Sequence, residues 1–179
     1  MSGRNLRRLI YAALFLAIGI VLPLFTDNVP TLGASLLPMH IPVLLCGLIC
    51  GMGYGAAVGG ALPFVRFLLF GVPLLPQDLV SMSVELLIYG LVSGLVYSFF
   101  TTKSIGSIYV SLGTAMLLGR IGWGISQKLI FLAFGGADLS FSLFISVAVI
   151  NALPGIFIQL VIIPAIVSAT VVFSKSRGR

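Results

Sequence analysis

Six long apolar runs, separated only by short polar stretches, constrain this chain more than any other feature of its sequence. They cover approximately residues 9–25, 40–51, 56–70, 79–100, 108–133 and 143–173. A helix of about 20 apolar residues crosses the hydrocarbon core of a bilayer and satisfies its backbone hydrogen bonds internally. The pattern therefore predicts an all-α polytopic membrane protein with six transmembrane helices, formed by a single membrane domain over residues 1–179.

The charge content excludes several other classes of protein. Charged residues make up 8% of the chain and the mean hydropathy is +1.22, whereas about 25% of residues are charged in a soluble domain. Six spans leave only connectors and tails, so the sequence has no room for a nucleotide-binding domain. The net charge is +6, but the sequence has no patch of basic and aromatic residues. The excess of basic residues therefore indicates membrane topology and not nucleic-acid binding.

The distribution of charges between the connectors predicts the orientation of the spans. With six spans, seven cations fall on one side of the membrane: Arg4, Arg7, Arg8, Lys103, Lys175, Arg177 and Arg179. Asp27, Asp78 and Asp138 fall on the other side. Because cytoplasmic connectors are rich in Lys and Arg, both termini are expected to be cytoplasmic.

Charged and polar side chains within the spans are the strongest indication of a functional site. A charge near the bilayer centre costs at least ~2.5–3.5 kcal/mol, so such residues usually face a cavity or a partner. The candidates are Arg66 on span three, Glu85 and Tyr89 on span four, Arg120, Trp123 and Gln127 on span five, Asn151 on span six, and His40 at the start of span two.

If these residues converge, they form an outward-facing pocket. The cationic side chains of this pocket outnumber its single acid, Glu85. Such a pocket suits a small polar molecule that bears a carboxylate or a phosphate. In the alternative, Glu85 pairs with Arg120 or Arg66 only to hold the bundle together. For His40, a local hydrogen bond is as consistent with the sequence as ligand binding. For Trp123, simple packing is as consistent with the sequence as ligand binding.

Span one carries two small residues four positions apart, Ala13 and Ala17. Small residues at this spacing let another helix approach closely in lipid. They therefore indicate either a docking face for a partner protein or close packing within the bundle.

The sequence contains none of the common catalytic motifs. It lacks paired carboxylates, a metal-ligand cluster, a phosphate-binding Gly-Lys-Ser/Thr loop and a nucleophile elbow. Cys46 and Cys50 stand four apart in one apolar run with no other ligand nearby. We therefore expect a protein that is not an enzyme and that holds no metal or cofactor.

Several segments resemble the substrate-binding S components of energy-coupling factor (ECF) vitamin transporters. They are residues 37–51 (LPMHIPVLLCGLICG), 54–59 (YGAAVG), 66–73 (RFLLFGVP), 85–94 (ELLIYGLVSG) and 119–124 (GRIGWG). The resemblance extends over almost the whole chain and includes its size, its six spans and the absence of an ATPase.

This resemblance implies a protein of the prokaryotic plasma membrane that captures a vitamin or related micronutrient from outside. It also implies association with a transmembrane coupling protein and two cytoplasmic ATPases, and Ala13-x-x-x-Ala17 matches the family's alanine docking motif. Pantothenate is the first candidate, because it is small and carries one carboxylate. The residues alone leave open a stand-alone proton-coupled secondary transporter, with Glu85 as proton carrier, and a membrane scaffold without a ligand.

Overall fold

Helices account for nearly all of the chain that can be described. The computed structural model describes residues 3–26, 37–73, 75–134, 146 and 152–176. Within them the helices are α1 (Gly3–Thr26), α2 (His40–Cys50), α3 (Met52–Phe70), α4 (Pro76–Phe99), α5 (Ile105–Phe134) and α6 (Leu153–Ser176). All except α2 are long and apolar enough to cross a membrane. The predicted all-α polytopic class is confirmed.

The short helix α2 lies at the centre of the bundle. It packs on α1, α3, α4 and α6, while the pairs α1–α3, α3–α4, α4–α5 and α5–α6 form an arc around it. Nine of its 11 residues are buried. At about 1.5 Å per residue, α2 covers only about half of the hydrocarbon thickness. Neighbouring helices, and not lipid, therefore provide most of its surroundings.

Glycines bring α2, α3 and α4 into backbone contact. We call this set the glycine seam: Gly47, Gly55, Gly59, Gly90 and Gly94. A Cβ on Gly90 would overlap the carbonyl oxygen of Gly55, and one on Gly94 would lie 2.5 Å from the backbone nitrogen of Met52. Small residues are the usual means of close helix approach in membrane proteins, and here they join three helices.

The connection between α2 and α3 is shorter than the sequence suggests. The glycines of residues 51–55 predict a reversal before a third span that begins at residue 56, but α3 begins at Met52. Gly51 alone makes the turn, with φ of 101° and its N–H donating to the carbonyl of Gly47 at 3.0 Å. Gly55 lies within α3. Its lack of a side chain allows the backbone contact of the glycine seam and is not needed for the turn.

The helices alternate in direction, so the start of α2, the start of α4 and the end of α5 belong to one end of the bundle. A hydrogen bond between Asp78 on α4 and Gln127 on α5 connects two helices at this end. The charge rule predicts that this end faces the outside of the cell. We call it the outer end. The predicted first part of span six, from residue 143, lies mostly outside the described residues.

Candidate functional site

An acid on α4 is the centre of the polar interior. Glu85 is 3% exposed, and its Oε1 lies 3.1 Å from Nη1 of Arg120 on α5. The same oxygen lies 3.4 Å from Nε2 of His40, the first residue of α2. Three helices thus each contribute one charged or titratable side chain to a single point.

Tyr89 lies one helical turn beyond Glu85 and is 1% exposed. Its ring meets the ring of His40 edge-on, with centroids 5.0 Å apart and planes at 84°. A Cβ on Gly119 would lie 3.0 Å from Cε2 of Tyr89, so the glycine before Arg120 makes room for this ring. We call His40, Glu85, Tyr89 and Arg120 the polar cluster.

The cluster contains more hydrogen-bond donors than its own residues use. Among the described residues, the donors Nε and Nη2 of Arg120 are buried without a hydrogen-bond partner. Both ring nitrogens of His40 lack one among these residues as well, and in a neutral imidazole one of them donates and the other accepts. The contacts of Glu85 with Arg120 and His40 have the distance of an ion pair without the angles of a hydrogen bond. A buried donor without a partner costs ~1–3 kcal/mol. The arrangement is therefore ready to receive acceptor atoms.

Arg66 adds a second buried cation near the start of α2. It is 4% exposed, and its Nη1 lies 3.1 Å from Sδ of Met39, the residue before His40. Glu85 is the single acid that is buried among the described residues. Among the described residues, Arg66 and Arg120 thus accompany a single buried acid in the interior of the bundle.

Gln127 is engaged by a partner that the sequence analysis placed in a loop. Its Nε2 donates to Oδ1 of Asp78 at 3.1 Å, and Asp78 lies in the first turn of α4. An acid in this turn also interacts favourably with the helix dipole. Its position two residues after Pro76, the first residue of α4, was the signal that could have identified it.

The candidates Trp123 and Asn151, and the further charged residue of α5, Lys128, have different positions. Trp123 is half-buried one turn beyond Arg120. Lys128 is exposed, with Nζ 5.2 Å from the centroid of the Phe131 ring, as expected of a lysine that extends along the bundle surface. Asn151 lies outside the described residues.

A buried amide on α6 is the polar residue that the candidate set omitted. Gln159 is 1% exposed, and its Nε2 has no hydrogen-bond partner among the described residues. It follows Asn151 by eight residues, or about two helical turns, in the sequence. Spacing alone does not show which polar residue of a span is buried.

The small residues of α1 divide between its two faces. Gly19 packs against Leu62 of α3 and Pro42 of α2, whereas Ala13 and Ala17 are exposed. Ala17 lines a shallow apolar groove together with Ile18, Val21 and Leu22. Packing within the described bundle therefore does not account for Ala13 and Ala17.

Metal binding has no support in the part of the chain that the structure describes. No three His, Cys, Asp or Glu side chains there could hold an ion together. Cys46 and Cys50 are both buried free thiols.

A family model described as "ECF transporter, substrate-specific component" matches residues 7–167. The matched segment includes the exposed alanines of α1, the glycine seam and every member of the polar cluster. Neither a curated protein nor a solved structure matches the chain.

Proposed function

This chain belongs to the family of ECF transporter substrate-specific components, and from that premise we propose that it captures a small anionic vitamin at the outer end of the bundle. The family consists of substrate-binding transporter subunits and not of enzymes. The chain is accordingly a multi-pass membrane protein with a substrate-capture role.

The observation that carries the choice of an anion is the guanidinium of Arg120. One of its nitrogens faces Glu85, while Nε and Nη2 are buried without a hydrogen-bond partner in the described residues. A guanidinium binds a carboxylate or phosphate through two parallel hydrogen bonds. An acid group on the ligand would supply two acceptors for these two nitrogens, which have no hydrogen-bond partner among the described residues.

Glu85 has a supporting role in this proposal. Its Oε1 lies within 3.4 Å of both Arg120 and His40, so it holds the guanidinium in place while the site is empty. A buried cation with no anion nearby would be strongly destabilising. Glu85 thus stabilises the empty site, and the ligand's acid group completes the remaining hydrogen bonds of Arg120.

Pantothenate is the ligand we propose first. It carries one carboxylate for Arg120 and has amide and hydroxyl oxygens that can accept hydrogen bonds from further donors. His40, Arg66, Tyr89, Trp123, Gln127 and Asn151 are the other residues that we assign to the binding site. Tyr89 and Trp123 would pack against the apolar parts of the ligand.

We also propose that the chain works with a transmembrane coupling protein and two cytoplasmic ATPases in a prokaryotic plasma membrane. Ala13 and Ala17 would form the docking face, and their exposure on α1 supports this assignment. Exposed small residues let a second helix approach closely in lipid.

The proposal is tested by measuring binding and transport separately. Purified protein in detergent is titrated with pantothenate by calorimetry, and the same protein is reconstituted alone in vesicles with radiolabelled pantothenate inside or outside. We expect one molecule bound per chain and no uptake, with or without a proton gradient.

Each contrary result identifies a different alternative. Proton-driven uptake by the chain alone would overturn the capture role and support a stand-alone transporter with Glu85 as proton carrier. Absence of binding to pantothenate and to every other vitamin in a panel would support a scaffold without a ligand.

A further inference from the structure

We propose that Gln159 on α6 is a specificity-determining residue, whose side-chain amide donates a hydrogen bond to a neutral oxygen of a ligand held through its acid group by Arg120. This inference rests on the proposed function, because it concerns the same ligand. It defines the ligand class more closely as an acid with a separate hydroxyl or carbonyl oxygen.

The first step is the burial of Gln159. Its side chain is 1% exposed on the face of α6 that also carries Ile163 and Val167, both almost fully buried in the apolar core. Its Nε2 has no hydrogen-bond partner among the described residues. A primary amide has two N–H donors, and leaving a buried donor unpaired is unfavourable.

The second step is the contrast with the other buried polar groups. The hydroxyls of Ser83 and Ser111 donate to the backbone carbonyls of Leu79 and Ser107, at 2.8 and 2.7 Å. These serines satisfy their hydrogen bonds within their own helices, which is the usual state of buried polar side chains. The Nε2 of Gln159 has no such partner among the described residues, so hydrogen bonding between the described helices does not account for this donor.

The third step is the position of α6. This helix packs on α2 and on α5, which carry His40 and Arg120. Gln159 is buried on α6, so its side chain lies within the packing of this helix against its neighbours. Nε and Nη2 of Arg120 and Nε2 of Gln159 are all donors. A set of unpaired donors favours a ligand with several acceptors and disfavours a cationic or purely apolar ligand.

The first experiment compares two amides without any ligand. In Gln159→Leu the unpaired amide is replaced by an apolar side chain of similar size, whereas Gln127→Leu removes an amide that donates to Asp78. We expect the Tm of the empty protein to stay unchanged or rise in Gln159→Leu and to fall by a few degrees in Gln127→Leu. A fall in Gln159→Leu as large as that in Gln127→Leu would show a structural role and overturn the proposal.

The second experiment uses two acids, pantothenate and hexanoate, which share a carboxylate but differ in their neutral oxygens. We expect Gln159→Leu to weaken pantothenate binding at least tenfold and to leave hexanoate binding unchanged. Arg120→Gln should weaken binding of both. Equal pantothenate affinity in Gln159→Leu and wild type would overturn the inference while leaving the proposed function intact.

A wild-type protein that binds neither of these acids nor any other acidic vitamin in a panel would instead overturn the proposed anionic ligand, and with it the role given to Gln159. Ser111→Ala is the matched control, because it removes a buried polar group that is already satisfied. It should keep wild-type affinity for both acids. All variants are compared only where they elute as single species in detergent.

Discussion

Two regions of α4 that adjoin in sequence are built in opposite ways. Gly90 and Gly94 belong to the glycine seam, where the backbones of three helices are in contact. Glu85 and Tyr89, immediately before them, belong to the polar cluster, where donors of Arg120 have no partner among the described residues. One helix thus takes part both in close backbone packing and in a cluster whose hydrogen bonds are incomplete.

The difference shows how a membrane bundle can hold an incompletely satisfied site. The seam fixes α2 and α4 against each other by backbone contact, which side-chain motion cannot loosen. The first residue of α2, His40, therefore stays within 3.4 Å of Glu85 without a well-formed hydrogen bond. Packing in one region provides the rigidity that the other region needs for pre-organised binding.

Disruption of the seam should have the largest effect. In Gly90→Ala the new methyl group would overlap backbone atoms of Gly55, which cannot move as a side chain can. Overpacking typically costs ~1–3 kcal/mol and more where the obstacle is rigid. We expect little or no monodisperse protein from Gly90→Ala, measured by size-exclusion chromatography in detergent.

Gly113→Ala is the control for this prediction. A Cβ at Gly113 meets nothing within 4 Å, so this variant should be obtained at wild-type yield. A well-folded Gly90→Ala variant with unchanged Tm would show that the seam does not determine the arrangement of the helices.

Removal of the Arg120 guanidinium should have the next largest effect, which is a lower affinity for the ligand. Hydrogen bonds to charged groups contribute ~1.5–3 kcal/mol, so Arg120→Gln should weaken binding of an acid ligand roughly tenfold or more. Calorimetry with pantothenate measures this change. Because the variant also leaves Glu85 without its cation, Glu85→Gln/Arg120→Gln is compared in parallel. Unchanged affinity in a folded Arg120→Gln variant would exclude the assignment of Arg120.

Removal of the Glu85 carboxylate should lower the stability of the empty protein and increase the stabilisation that the ligand provides. Glu85→Gln leaves Arg120 buried without an anion, and loss of one partner of a buried ion pair costs about 3 kcal/mol. The Tm of the empty protein should therefore fall, while pantothenate should raise the Tm by more than it does in wild type. A ligand-induced shift smaller than that of wild type would mean that Glu85 itself binds the ligand.

The smallest effect on the isolated chain should come from α1. Ala17 is exposed and remote in sequence from the polar cluster, so Ala17→Leu should keep the Tm and ligand affinity of wild type. ATP-driven uptake by the assembled transporter should be lost, since the larger side chain obstructs close helix approach. Ala165→Leu, at an exposed alanine of α6, is the control and should retain uptake. Equal uptake by both variants would remove the docking role of Ala17.

The same two regions show what the sequence can and cannot predict. Apolar runs define the helices because the bilayer sets their length, and spacing of four places Glu85 and Tyr89 on one face. Which partner each residue meets depends on the rotation of whole helices. The sequence therefore left open whether Glu85 meets Arg120 or Arg66, assigned Gly55 to a turn, and did not reveal that Gln127 bonds Asp78 while Gln159 lacks a partner.

The central claim is that the polar cluster binds a specific small acid, and identification of a co-purified ligand tests it most directly. Protein purified in detergent without added vitamins is denatured, and the released small molecules are identified by mass spectrometry. The account predicts one stoichiometric vitamin that carries an acid group and a neutral oxygen, absent from Arg120→Gln protein. A cationic or neutral ligand would contradict it, and so would an empty protein whose Tm no acidic vitamin raises.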